Sequence, residues 1–397
     1  MSKREKRAPV LKFGAGREKK KLGLYLHIPF CLKKCGYCDF YSVGYEKKRC
    51  REYLAAMERQ MAYYRDAAST YLVDTVYLGG GTPSLLPERE LAELFGAVRK
   101  NFCLAPDAEI TMEVNPATGG KNYFKKAAKL GVNRFSVGLQ SAVPEELAAI
   151  GRVHSVTDFE RTMAYIARSG VEEVGVDLIY GLPGQTLESF ERSLAYVTAL
   201  PVTHISVYGL TLEEGTPLWE RRESLELPDE ECEREMYLRA VERLREAGFL
   251  QDEISNFSKE GHGSRHNLKY WNCDEYLGVG AAAASFFGGR RFTFARNIAR
   301  YIEAMNGGEV RGLLSENILC PRAECMGDYV MLRLRLRAGV PLAEFQRRYR
   351  QDFLELFGEK AKKYVGHGLA VLDGAHFALT PEGMYLSNYI IADLLTL

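Results

Sequence analysis

Six short apolar runs, each followed by a longer amphipathic stretch, most limit what this chain can become. Residues 23–28 (GLYLHI), 74–79 (DTVYLG), 109–114 (EITMEV), 134–139 (RFSVGL), 173–179 (EVGVDLI) and 204–210 (HISVYGL) have strand length. Between them, 46–65, 88–102, 121–130, 157–169 and 186–199 carry apolar side chains at three- and four-residue steps, the helical period. This alternation predicts parallel strands in an α/β barrel or a doubly wound sheet. The strand ends favour a barrel. Polar or glycine-rich residues follow every strand: a cysteine loop, then Gly79–Ser84, Glu113 and Asn115, Gln140 and Ser141, Asp177 and Tyr180, and Thr211. The C-terminal face of a βα barrel carries its active site, so these six patches would line one mouth.

The loop after the first strand places Cys31, Cys35 and Cys38 at the spacing C-x3-C-x2-C. Structural zinc takes four ligands, usually from paired Cys or His motifs, and no second pair follows at such a spacing. Buried thiols without a role are the other alternative, since free cysteine is among the most buried residue types. Lys33, Lys34 and Gly36 make a poor core segment and a good exposed loop. The reading that remains is a [4Fe-4S] cluster held by three thiolates, which leaves one iron open to a small ligand. Gly79, Gly80 and Gly81 let backbone approach a ligand closely, although a tight strand-helix turn explains them equally well. Glu113 and Asp177 would put carboxylates at the mouth, and Gln140 and Arg152 could bond an adenine or a carboxylate.

The cysteine spacing, with the aromatic Tyr37 directly before Cys38, resembles the signature of the radical S-adenosylmethionine (SAM) superfamily. That resemblance implies a partial (β/α)6 barrel, with SAM chelating the open iron and the glycine triplet meeting its amino group. The runs HIPFC, GGGTPS, EVNP, RFSVGLQS, GRVHS, DLIYGLPGQT and EISNF narrow the resemblance to the oxygen-independent coproporphyrinogen III oxidase group. By it, Tyr25, Tyr37, Gly80, Gly81, Thr82, Glu113, Gln140, Arg152, Asp177 and Thr211 fall on SAM-binding positions. Two features separate the chain from the oxidase. The oxidase has a fourth cysteine two residues after the third, where this chain has Phe40, and residues 266–271 read HNLKYW. Both resemble the haem-chaperone branch of the group.

That branch implies haem as bound cargo, with His266, Asn267, Tyr270 and Trp271 as the candidate site. Histidine is a usual axial ligand, and aromatic rings can cover a porphyrin face. The alternative is that His266 makes structural hydrogen bonds while Tyr270 and Trp271 pack a joint between domains. His262 and Cys273 are other candidate ligands, and the stretch Ala281–Ser285 lacks a histidine common at that place in the group. The expected function is haem binding and transfer to an acceptor haem protein, for example a respiratory one, with a flavodoxin or ferredoxin as reductant. The competing activity is SAM-dependent oxidative decarboxylation of coproporphyrinogen III to protoporphyrinogen IX, in porphyrin biosynthesis. SAM cleavage is open under either.

The expected organisation is a basic, disordered tail over 1–21, the barrel core over 22–215, a barrel extension with the HNxxYW motif over 216–310, and a small helical, winged-helix-like domain over 311–397. The tail holds nine Lys/Arg against two Asp/Glu, which leaves 1 − 7 = −6 for the rest of a chain whose net charge is +1. An acidic body argues against a nucleic-acid footprint. Nine cysteines without a regular framework, no run near the length of a membrane span and no apolar leader predict a cytoplasmic protein. Peripheral membrane contact through the tail stays open.

Overall fold

A computed structural model of the chain describes residues 19–396. The basic segment expected over 1–21 lies outside the described residues as far as residue 18. Strands β1 (Lys20–Ile28), β2 (Tyr71–Gly80), β3 (Leu104–Val114), β4 (Arg134–Gln140), β5 (Glu173–Tyr180) and β6 (His204–Gly209) stand side by side in chain order, each pair parallel. Helices α1 (Lys47–Tyr64), α2 (Glu88–Asn101), α3 (Tyr123–Lys129), α4 (Val156–Ala167) and α5 (Leu187–Thr198) make the crossovers. Capping boxes start two of them: Ser155 with Asp158 for α4, and Thr186 with Ser189 for α5. Each satisfies backbone donors that the first helical turn leaves unpaired. Leu22, Leu24, Leu26 and Ile28 on one face of β1 are buried, and Gly23 and His27 on the other are buried too, the pattern of a parallel strand covered on both faces. This is the partial (β/α)6 barrel.

The barrel does not close; its sheet continues at both edges to twelve strands. Beyond β6 come β7 (Leu250–Glu253) and β8 (Asn256–Ser258), with β8 antiparallel to β6. Helix α6 (Glu230–Glu246) precedes them. Beyond β1 stands β9 (Tyr276–Val279), parallel to it, followed by the antiparallel β10 (Ala284–Phe287), β11 (Arg290–Phe294) and β12 (Leu314–Leu319). The Gly- and Ala-rich segment thus forms strands. A side chain at Gly278 would stand 2.2 Å from the carbonyl of Ala284, so small residues are what let this ribbon fold back. The large sheet runs to Leu319, past the boundary expected at 310.

Helices between Arg322 and Leu395 and a three-stranded antiparallel sheet (Val340–Pro341, His376–Leu379, Ala370–Leu372) form the C-terminal unit. Its core of Tyr329, Phe345, Phe353, Phe357 and Phe377 also takes in Tyr237 of α6, which ties the unit to the barrel. Among the described residues no helix is long and apolar enough to cross a membrane.

Candidate cluster and cofactor site at the barrel mouth

The C-terminal ends of β1 to β6 surround one cavity of about 530 Å³. Its wall includes Cys31, Tyr37, Gly80, Gly81, Thr82, Glu113, Gln140, Arg152, Asp177 and Thr211, together with Cys35 and Cys38. Twelve residues scattered over 181 positions of sequence (211 − 31 = 180 steps) therefore meet at one place.

The cysteine loop is pinned at both ends. Phe30 and Cys31 pair with Val43 and Gly44, which closes the loop on itself. Gly36 donates its N–H to the Ile150 carbonyl at 2.9 Å and accepts from Leu218 N–H at 2.9 Å. Thr82 Oγ1 lies 3.6 Å from Cys31 Sγ, and Arg152 Nη1 lies 3.4 Å from Cys35 Sγ. Burial pushes the Cys38 thiol up, with Cys35 adding to it. Three thiols that feel one another, beside a fixed guanidinium and an open cavity, fit a multi-iron cluster. Among the described residues no three His, Cys, Asp or Glu side chains close on a point as they would around a single ion. A cube, whose ligand sulfurs stand well apart, does not ask for that convergence.

Gly80 adopts φ +112°, and a Cβ there would stand 2.5 Å from the His27 ring. At Gly81 a Cβ would lie 2.8 Å from the Phe30 carbonyl. These glycines are thus required by the packing of β2 against β1, whatever ligand they also meet. Gly80 N–H donates to Glu113 Oε2 at 3.1 Å, and Tyr77 OH donates to Glu113 Oε1 at 3.0 Å. Burial, aided by nearby Asp177 and opposed by those donors, lifts the Glu113 carboxyl to about 7. Asp177 is also raised by burial, although Ser206 and Ser136 bond it; Ser136 Oγ lies 3.2 Å and 3.3 Å from its two oxygens. Two hard-to-ionise carboxyls at one mouth are a ready place for a cation.

Arg152 donates to the Gly138 carbonyl at 2.7 Å and to His154 Nδ1 at 3.2 Å. Burial opposes its charge, but Tyr37, Cys35 and Asp177 outweigh that and raise it. His154 faces the Leu139 carbonyl through Nε2 at 3.1 Å, which puts its proton there and leaves Nδ1 to accept. Burial and then Arg152 lower it to about 4, so it stays neutral. Gln140 sits at φ +73°, a left-handed backbone unusual for a side-chain-bearing residue and a form of strain found at binding sites.

Tyr25 lies below the mouth, off the cavity wall. Its hydroxyl bonds His27 Nδ1 at 3.0 Å, and its ring stacks on Tyr77 at 6.2 Å. Tyr77, Ser136 and Tyr208 of the cavity wall, and His27 and His154 bonded to Tyr25 and Arg152, are residues that sequence reasoning did not single out. Inward alternation along the strands was the available signal, and it does not separate a site residue from a core one.

The HNxxYW stretch forms helix α7 (Arg265–Trp271), which closes the barrel at the end opposite the mouth. Backbone N–H groups of Arg265 and His266 donate to Glu109 at 3.0 Å and 2.9 Å, and Lys269 pairs with Asp74 at 2.7 Å. His266 is fully buried: Nδ1 bonds Thr75 Oγ1 and Nε2 bonds Tyr270 OH, both at 2.8 Å. Burial, with Lys269 adding, lowers it to about 3. As folded, His266 offers no free ring nitrogen to an iron, which is the structural role weighed as its alternative. His266, Asn267, Tyr270 and Trp271 are all absent from the cavity wall.

A thiol loop, a glycine turn and a pair of buried carboxyls at the mouth of a partial β/α barrel define a radical SAM protein. The model of the radical SAM superfamily matches residues 25–197, and that of the HemN C-terminal domain matches 321–386. The solved structure of coproporphyrinogen III oxidase (HemN) from Escherichia coli superposes with TM-score 0.82 at 22% identity, over 96% of this chain and 91% of that one. Haem chaperone HemW of Mycobacterium tuberculosis is 34% identical over 94% of both chains, and that of Bacillus subtilis 33% identical over 94% of this chain and 98% of its own. The mitochondrial radical S-adenosyl methionine domain-containing protein 1 of Bos taurus is 34% identical over 94% of this chain and 87% of its own. Within the radical SAM superfamily, the chain belongs to the HemW family.

Proposed function

We propose that this protein is a haem chaperone: it binds haem and passes it to an acceptor haem protein. The observation that carries this reading is the full-length similarity to proteins named haem chaperone, 34% identical over 94% of the chain. Phe40 adds to it, because the position where the oxidase resemblance calls for a fourth cysteine holds an aromatic ring 69% exposed at the rim of the cavity.

In this reading Cys31, Cys35 and Cys38 hold a [4Fe-4S] cluster, and SAM lies against Gly80, Gly81, Thr82, Glu113, Gln140, Arg152 and Asp177. Cluster and SAM together supply one-electron reductive chemistry when bound. The chain's own part is positional. Arg152 braces Cys35 against the end of β4, and Glu113, raised to about 7, is poised to ionise when a cation arrives beside it. Tyr37 and Thr211 narrow the mouth. The acceptor, a respiratory haem protein for example, and a flavodoxin or ferredoxin reductant complete the reading.

The test is anaerobic reconstitution followed by two assays on one preparation. Haem should bind at one equivalent and leave for an apo haem protein, with no decarboxylation of coproporphyrinogen III in the presence of SAM and reductant. Decarboxylation without specific haem binding would reverse the assignment.

A further inference from the structure

Haem needs an apolar face of ring size, a ligand for its iron and a cation near its carboxylates. The sheet extension brings apolar side chains, thiols and a guanidinium together outside the barrel. Tyr276, Phe286, Arg291 and Ile318 are successive cross-strand partners through β9, β10, β11 and β12, so their side chains rise from one face. Cys320 lies two residues past Ile318, and its N–H bonds the Gly289 carbonyl at 3.1 Å, which keeps the strand pairing and places its side chain on that face. Ile318 is 48% exposed, and Phe286 and Tyr276 are half-buried. Arg291 stands 5.8 Å above the Phe286 ring and pairs with Asp328 at 2.7 Å.

This face adjoins the end of α7. The Tyr270 ring packs edge-on against Tyr276 at 4.6 Å, and Cys273 follows the helix with φ +53°. Cys273 is within electrostatic reach of Arg291 and Cys325, and Arg291 of Cys320. Cys325 Sγ in turn donates to the Cys320 carbonyl at 3.4 Å. Three half-buried thiols therefore gather at one edge of this row, Cys320 and Cys325 from one short segment and Cys273 from the end of α7. Beside them the fully buried Tyr329 hydroxyl has no partner among the described residues, and it senses Cys273.

We propose that this face is where the chain holds haem, with Cys320 as the thiolate ligand of the iron and the Arg291 guanidinium exchanging Asp328 for a propionate. The proposal rests on the haem-chaperone reading and names the site for it. On binding, the Cys320 thiol gives its proton to solvent as the sulfur–iron bond forms, with no change in oxidation state. The HNxxYW helix then acts as the buried footing of the site: His266 and Tyr270 set Tyr276 and Cys273, and the haem lies beyond them.

The test is a titration of the full-length, anaerobically reconstituted chain with ferric haem, followed by absorbance and electron paramagnetic resonance. The expected result is one equivalent bound with a thiolate-type spectrum. Cys320→Ala should lose that spectrum and bind about tenfold or more weakly. Cys320→His should recover affinity with an imidazole-type spectrum, and Cys103→Ala, whose exposed thiol is on none of the strands of this face, should behave as the parent. Arg291→Gln should weaken haem several-fold but leave haem dimethyl ester unaffected. Parent-like spectrum and affinity in Cys320→Ala overturn this site while leaving the chaperone reading intact. Failure of the parent chain to bind one equivalent overturns both.

Discussion

Replacing Glu113 with Gln should stabilise the ligand-free protein at neutral pH while abolishing tight SAM binding. In the fold this carboxyl is lifted from 4.5 to about 7, chiefly by burial. A carboxyl raised on folding adds nothing unfavourable below its unfolded value, costs increasing stability as the pH rises from that value to the folded one, and costs the full amount above it. At 1.36 kcal/mol per unit, a rise of about 2.5 units is worth at most about 3.4 kcal/mol, and water entering the open mouth trims it. Glutamine removes that cost. It also mismatches one of the two donors now facing the carboxylate, Gly80 N–H or Tyr77 OH, at about 1 kcal/mol. The net gain expected is about 1–2 kcal/mol at pH 8, close to zero or negative at pH 4.5, growing between those values and level above about pH 7.5. Urea unfolding of SAM-free protein across this range, parent against variant, measures it. A difference that does not change with pH, or that favours the parent more at pH 8 than at pH 4.5, would refute the burial argument.

Cys31→Ala or Cys35→Ala should lose the cluster, whereas Cys103→Ala or Cys232→Ala should keep it; iron and sulfide content after reconstitution decides, and intact iron in the first pair contradicts the assignment. His266→Ala should cost about 3 kcal/mol, because it leaves a cavity and orphans Thr75 and Tyr270. Its loss of haem binding should track unfolding, with affinity near the parent's at a temperature where the variant is folded, read by circular dichroism beside the titration. Gly80→Ala should yield little folded protein, since φ +112° and a Cβ 2.5 Å from His27 compound each other; a folded variant with normal melting would contradict the packing account.

Strand and helix periodicity was legible because it repeats locally. β1 to β6 and α1 to α5 fall within a few residues of the runs that announce them. The mouth was legible for the same reason: in parallel strands joined by helices, every C-terminal end must share one side. Thus Cys31, Glu113, Gln140 and Asp177 could be assigned to one place from the strand ends, while Arg152, twelve residues past the end of β4, reached the site only through the family resemblance. Gly80 was legible as a residue but not as a role, because a ligand and the His27 ring make the same demand for a missing Cβ.

What the linear order could not carry is the destination of side chains whose partners lie far along the chain. His266 looks like a ligand as a letter in a motif. Only its meeting with Thr75, 191 positions away, and with Tyr270 turns it into a hydrogen-bonded footing. Cys273 and Cys320 are unrelated by spacing, and the antiparallel ribbon β10 to β12 brings both within reach of Arg291. Local pattern follows from backbone period and so belongs to the sequence alone. Whether a thiol or an imidazole is free depends on which donor or acceptor the folded chain puts beside it, and that is decided only when the sheet and the closing helix are in place.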